Sequence, residues 1–334
     1  MKAVVQNAQG EPADVLEMVE VDHDRPGAGE VLIDVSLAPV HHGDLHLIRS
    51  QSRVGDGHLR RGSECLGIVR EIGPGVRDRL AFEIGDRVIG FPAQGAWAES
   101  VVIQADAAIA VPPETGDEVA AQLLINFISA GMILRGLRAS ASHQALHDGM
   151  VLVTGASTVV SRILLSLLED EGIATIGLTR SAASAHRVAA ELEGVRLVAT
   201  EDADWQSRIA SLTLDREIVG VLDCVSGSLV EEFAPLLTDD AAVVTYGGLD
   251  GNKLAISALD LVDRQLLFRG VTFGRWFSEV SRVDQLADVR SAFEFAARKP
   301  WLFKTGGIFG LADFQEAISA VEAPNRDGFV FIRP

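Results

Sequence analysis

Tyrosine and lysine are scarce in this 334-residue chain: Tyr246 is the one tyrosine, and the lysines are Lys2, Lys253, Lys299 and Lys304. The two cysteines, Cys65 and Cys224, exclude a disulfide framework and a four-cysteine zinc site. No apolar run approaches the roughly 18 residues that span a bilayer. The opening MKAVVQNAQGEPADVLEMVE has no apolar signal core, so a cytoplasmic protein that uses no membrane is expected. Basic residues are outnumbered 47 to 29, a net charge of −18 that argues against nucleic acid and anionic lipid as partners. Any anionic ligand then needs a local basic patch. With 48% apolar and 23% charged residues the composition is that of a globular protein, and the length suggests two domains.

The first 110 or so residues read as β-rich. KAVVQ, VLEMVEV, EVLIDVSLAPV, LGIVREIG, DRVIGF and ESVVIQA are β-branched runs set off by Gly, Pro and Asp. From Pro112 an apolar helical pattern runs through DEVAAQLLINFISAGMILRGL, followed by alternation: MVLVTG, SRILLSLLEDEG, IATIGLT, SAASAHRVAAEL, VGVLDCV, SLVEEFAPLL, AAVVTYGG. Strands alternating with helices imply an α/β doubly wound parallel sheet. LLFRGVTFG, a helical DQLADVRSAFEFAARK and a final GFVFIRP follow.

VLVTGASTVVSR lies where a phosphate-binding turn belongs, between strand and helix. Only Gly155 is glycine; Thr158 or Val159, and Ser161, take the later glycine positions of the fingerprint. Backbone N–H groups, with the Ser157 and Thr158 hydroxyls, suit a phosphate. A strand–helix turn that binds nothing fits these residues equally well. After the second strand comes Thr179-Arg180-Ser181, where an acidic residue would favour NAD; the arginine fork suits a 2′-phosphate and so NADPH.

Further blocks complete the pattern: Gly62-Ser63-Glu64-Cys65-Leu66-Gly67 through Gly73 and Val76, Gly85-Asp86-Arg87-Val88, Gly95-Ala96-Trp97-Ala98-Glu99, Asn126-Phe127-Ile128-Ser129-Ala130 and Asp223-Cys224-Val225-Ser226-Gly227. In this order and spacing they resemble the zinc-free side of the medium-chain dehydrogenase/reductase superfamily, with its quinone oxidoreductases and trans-2-enoyl thioester reductases. The resemblance implies a GroES-like β-rich catalytic domain (1–115) and a Rossmann NADPH domain (116–262). Residues 263–334 would return to the catalytic domain, and two Rossmann domains would join a homodimer. It places the cofactor on Asn126, Ser129, Gly155, Ser157, Thr158, Val160, Ser161, Thr179, Arg180, Ser181, Tyr246, Gly247, Gly248, Phe273 and Gly274. Zinc-dependent relatives carry ligands at positions that here fall on His41 and Ser63-Glu64, and the implied metal content is none.

The enoyl reductases' active-site tyrosine falls at Ser52. A replacement proton donor is sought among His41-His42-Gly43-Asp44-Leu45-His46 and His58, with His42 and His46 selected because imidazole titrates near neutrality. Arg49, Arg53, Arg60 and Arg61 form a local basic segment that would attract an anionic substrate, or simply a solvated loop. Phe273, Trp276 and Phe277 suit an apolar wall or core. The function expected is NADPH-dependent reduction of an activated C=C bond in an enoyl thioester or enone. Quinone reduction is the alternative, since quinone oxygens take protons from water. A silent scaffold is a third reading, suggested by the lost glycines and tyrosine.

Overall fold

The computed structural model describes residues 1–50, 59–75, 81–323 and 326–334. They form two compact units, Met1–Ile125 with Ser291–Pro334, and Asn126–Arg290.

The first unit contains β1 (Lys2–Gln6), β2 (Leu16–Glu20), β3 (Glu30–Pro39), β4 (Leu59–Arg60), β5 (Cys65–Ile72), β6 (Arg87–Gly90), β7 (Ser100–Gln104) and β8 (Ala108–Ala110). Its helices are the short α1 (Pro12–Val15) and α2 (His42–Ser50), and it shares α3 (Asp117–Arg138) with the second unit. The second unit adds β9 (Met150–Val153), β10 (Ala174–Thr179), β11 (Arg196–Ala199), β12 (Ile218–Asp223), β13 (Leu237–Thr245) and β14 (Leu267–Gly270). Among them run α4 (His143–Asp148), α5 (Val159–Asp170), α6 (Ala182–Glu191), α7 (Trp205–Leu212), α8 (Leu229–Phe233), α9 (Ala258–Asp263) and α10 (Trp276–Glu279). Helix α11 (Arg282–Arg298) leads back, and β15 (Thr305–Gly310), α12 (Phe314–Glu322) and β16 (Phe329–Arg333) finish the first unit.

In the first unit the described strands run β15-β16-β3-β5-β6-β8, with β7 also paired to β3, beside a smaller β2-β1-β4 sheet. Long β3 is the hub. Gly67 lets β5 approach it, since a Cβ there would lie 2.2 Å from the Asp34 carbonyl. Val4, Ile33, Ile48, Trp97, Phe314 and Ile332 share one core.

The second unit's described sheet is parallel, in the order β11-β10-β9-β12-β13-β14. Renumbered from β9 this is 3-2-1-4-5-6, the doubly wound Rossmann order, whose switch point lies between β9 and β12. All four β9 residues and all six of β12 are buried, as helices on both faces require. Leu152, Ile176, Val221, Phe233 and Val243 fill one side. The α/β expectation of a β-rich domain plus a Rossmann domain therefore holds.

The expected boundaries shift. Residues 116–125 group with the first unit and 263–290 with the second, because β14 pairs in parallel with β13 and extends the Rossmann sheet. Helix α3 is long and apolar enough by length and composition to cross a membrane, but it is mostly buried in the protein.

Candidate functional site

In the second unit, the turn after β9 opens with Gly155 at φ +55°; a Cβ there would lie 2.5 Å from Cys224 Sγ. Thr158 caps α5, its hydroxyl accepting Ser161 N–H at 3.3 Å. The Ser161 side chain, at a lost glycine position of the fingerprint, turns inward. It is fully buried, donates to the Thr154 carbonyl at 3.0 Å, and meets the Thr158 and Tyr246 hydroxyls at 2.9 and 2.8 Å. Ser161 and Tyr246 thus brace the turn from within, and burial pushes the Tyr246 phenol well above its ordinary value.

Among the described residues, no hydrogen bond engages the backbone N–H of Ser157, Val159 or Val160. Val159 and Val160 are donors in the first turn of a twelve-residue helix and Ser157 lies just before its cap, the local chemistry that attracts phosphate. Gly248 is open, with nothing within 4 Å of an added Cβ.

At the end of β10, Arg180 is exposed and its guanidinium has no partner among the described residues. The neighbouring hydroxyls are committed: Thr179 to the Ser181 carbonyl at 3.0 Å, and Ser181 to the Ser184 N–H and hydroxyl as the cap of α6. One acidic residue escaped the sequence reading. Glu201, just beyond β11, accepts Ala182 N–H at 2.7 Å and so brings a carboxylate to the start of α6 beside Arg180.

Of the remaining positions, Asn126 is buried, Ser129 and Phe273 are half-buried, and Gly274 N–H is held by the Thr272 hydroxyl at 3.4 Å. Gly247 would place a Cβ 2.9 Å from the Cys224 carbonyl. Trp276 is core: it is buried, and its indole donates to Asp288 at 2.7 Å. Phe277 is exposed.

The first unit holds a separate polar cluster. His41 Nε2 and Glu64 Oε2 are 3.0 Å apart, and Glu64 Oε1 accepts the Leu124 and Ile125 N–H groups at 3.0 and 3.2 Å. Asp44 accepts His41 N–H at 3.2 Å, while buried Arg61 donates to Gln6. Burial pushes the Glu64 and Asp44 carboxyls up, with His41 opposing both shifts. It pushes Arg61 down, opposed by the Asp44 charge. The potential metal positions His41 and Glu64 are engaged with each other.

His42 and His46 lie one turn apart on α2, both exposed. His42 Nε2 is 3.4 Å from Arg326 Nη2. Desolvation, then the charges of Arg326, His41 and Arg49, push His42 down to about 4, although the residue is exposed at the surface. At neutral pH it is a neutral ring. Ser52, His58 and Arg53 lie outside the described residues. Within the basic segment, Arg49 pairs with Glu11 and Glu322 at 2.8 and 2.6 Å and Arg60 pairs with Asp24, while Arg61 donates to the neutral Gln6.

Residues 27–113 match the alcohol dehydrogenase GroES-like domain. The mitochondrial enoyl-[acyl-carrier-protein] reductase of Dictyostelium discoideum is 24% identical over 304 residues, covering 87% of this chain and 83% of that protein. A mycobacterial protein solved with NADPH matches at TM-score 0.85 and 24% identity over 100% of both chains. Escherichia coli quinone oxidoreductase, solved with NADPH, matches at TM-score 0.84 and 20% identity, again over 100% of both. The structural likeness carries the fold. With the domain match and the enoyl reductase relative, the resemblance to the medium-chain dehydrogenase/reductase superfamily holds along nearly the whole chain.

Proposed function

We propose that this chain is an NADPH-dependent reductase of a C=C bond conjugated to a carbonyl, in an enoyl thioester or enone. The observation that carries the reading is the pairing of two features at the carboxyl ends of neighbouring parallel strands. One is the set of unengaged N–H donors at the start of α5; the other is the unpartnered Arg180 at the end of β10. The residues fit a phosphorylated dinucleotide. The side chains at the lost glycine positions do not obstruct the turn, because the Ser161 hydroxyl is directed inward and the Thr158 hydroxyl caps the helix.

Ser157, Val159 and Val160 would offer backbone donors to the pyrophosphate, and Arg180 its fork to a 2′-phosphate. Tyr246 and Ser161 hold the turn in shape. When bound, the cofactor supplies hydride for the β-carbon of the substrate. The α-carbon then needs a proton and the carbonyl oxygen a hydrogen-bond donor. Because His42 is a neutral ring at neutral pH, we propose His46, one turn along α2 and exposed, as the proton donor in its place.

Quinone reduction is the second reading. Its support is that the one tyrosine is committed to Ser161, while quinone oxygens accept protons from water. A silent scaffold is not favoured by a turn with this many open donors. We also propose a homodimer through the second unit. Edge strand β14 exposes Leu267, and α9 exposes Leu259 and Val262. A monomer by sedimentation at micromolar concentration would contradict it.

Titration with NADPH and NADH, followed by nicotinamide fluorescence, tests the main reading. NADPH should bind more tightly, and Arg180→Ala should erase that preference. Turnover of an enoyl thioester, an enone and a quinone then separates the two reductase readings. Failure of both dinucleotides to bind would refute the proposal.

A further inference from the structure

Arginine at position 162 follows the last lost glycine and, in an amphipathic helix, would ordinarily be read as a solvated side chain. It is nothing of the kind: its side chain is 2% exposed and its ion-pair partner Glu191 is 8% exposed. Burying a guanidinium is costly unless its donors are well placed. Here Nη1 donates to Glu191 Oε2 at 2.5 Å, and Nε and Nη2 both donate to the Ser157 carbonyl, at 3.1 and 2.8 Å.

That double grip falls on a carbonyl at the centre of the phosphate turn. A peptide oxygen facing a phosphate would repel it; one held by a buried cation is tied back. The same grip fixes the peptide unit next to the unengaged N–H of Ser157 and the two on Val159 and Val160. In the glycine fingerprint such a turn relies on residues with wide backbone freedom. This chain has only Gly155 left, so its turn must be held by side-chain bonds. The inner brace of Ser161 and Tyr246 secures one side of the turn, and Arg162 secures its carbonyl.

We propose that Arg162, anchored by Glu191, is a positioning residue that holds the Ser157–Val160 backbone in the arrangement that receives the pyrophosphate, in place of the missing glycines. The inference rests on the NADPH reading above. It concerns binding of the pyrophosphate specifically, and not of the 2′-phosphate end, which belongs to Arg180.

The test compares NADPH with adenosine 2′-monophosphate, which shares the 2′-phosphate and lacks the pyrophosphate and nicotinamide riboside, and with 2′-phospho-ADP-ribose, which keeps the pyrophosphate, lacks the nicotinamide and should weaken as NADPH does. All three are titrated calorimetrically against wild type, Arg162→Met, Arg162→Lys and Glu191→Gln. Arg162→Met should weaken NADPH at least tenfold and leave adenosine 2′-monophosphate within twofold. Arg162→Lys should recover part of the loss, and Glu191→Gln should fall between wild type and Arg162→Met. Equal weakening of NADPH and adenosine 2′-monophosphate means a general structural role, and unchanged NADPH affinity means no role; either overturns the assignment. If Arg162→Met does not fold, the same comparison on Arg162→Lys and Glu191→Gln decides. Wild type that binds adenosine 2′-monophosphate but not NADPH overturns this inference together with the NADPH reading, and is recognised before any variant is made.

Discussion

His41 and Glu64 face each other at 3.0 Å in a site where their side chains are 7% and 0% exposed. The carboxylate's second oxygen reaches the backbone of α3, accepting two N–H groups from successive residues, Leu124 and Ile125. One side chain therefore satisfies a ring nitrogen and two main-chain donors.

Removing it should be expensive. Glu64→Ala leaves buried donors orphaned and should destabilise the protein by about 3–5 kcal/mol. Glu64→Gln keeps an oxygen for the α3 amides and should lose less than half as much. Denaturant unfolding of both variants measures this; equal losses would mean that the helix contact carries no weight.

Asp223 offers a test in pH. Burial pushes its carboxyl up from 3.8, against hydrogen bonds from Ser226, Thr154 and Val225. The folded state thus holds the proton more tightly than the unfolded chain. Its contribution to stability is full below the unfolded value and is lost as pH rises through the folded one. Asp223→Asn keeps an acceptor oxygen and removes the charge. Its stability relative to wild type should therefore increase from pH 4 to pH 8 in thermal melts. A constant or falling difference would contradict the shift.

His42 should titrate near 4 by NMR of its ring protons, and Arg326→Gln should move that midpoint up towards the ordinary 6.5. Since its folded value is depressed, acidification from 6.5 downward withdraws stability at this site. If reductase activity is found, His42→Gln should leave the shape of the pH–rate profile between pH 5 and 8 unchanged. A midpoint above 6 in wild type would contradict the depression as a whole, and an unchanged midpoint in Arg326→Gln would show that Arg326 does not act on the ring.

Glu201 should limit the preference for NADPH. Its carboxylate takes the Ala182 N–H at the start of α6, close in sequence to Arg180. A carboxylate there repels a phosphate and accepts from ribose hydroxyls. Glu201→Ala should tighten NADPH by roughly three- to tenfold and leave NADH unchanged or weaker, a range set by one charge-assisted contact. Parallel fluorescence titrations read both. Weaker NADPH binding in the variant would give Glu201 a supporting role instead.

The long elements were legible because their patterns were strong. β3, β9, β12 and the helices α3 and α5 are continuous apolar or amphipathic runs, and β9, α5 and β12 belong to the Rossmann sheet and its covering helices. β11 and α7 were missed: Arg196–Ala199 is a four-residue edge strand with only its last two residues buried, too short for a period to show. Glu201 was lost with them, since its place beside Arg180 depends on β11 lying next to β10. The residue types of the nucleotide turn were readable, but the direction of Ser161 was not. Its inward turn depends on Tyr246 and Thr154, and Arg162 finds its partner 29 positions away.

Strand order also bears on how the chain folds as it is made. The second unit is continuous from Asn126 to Arg290, so every strand of its parallel sheet has left the ribosome before the first unit is complete. The first unit must wait for β16, which pairs with its hub strand β3, although β3 was synthesised almost three hundred residues earlier. Domains form as units during synthesis. Strands β5 and β7 can pair with β3 early, so through the translation of the Rossmann unit it is the Ala38–Pro39 end of β3, later covered by β16, that stays unpaired.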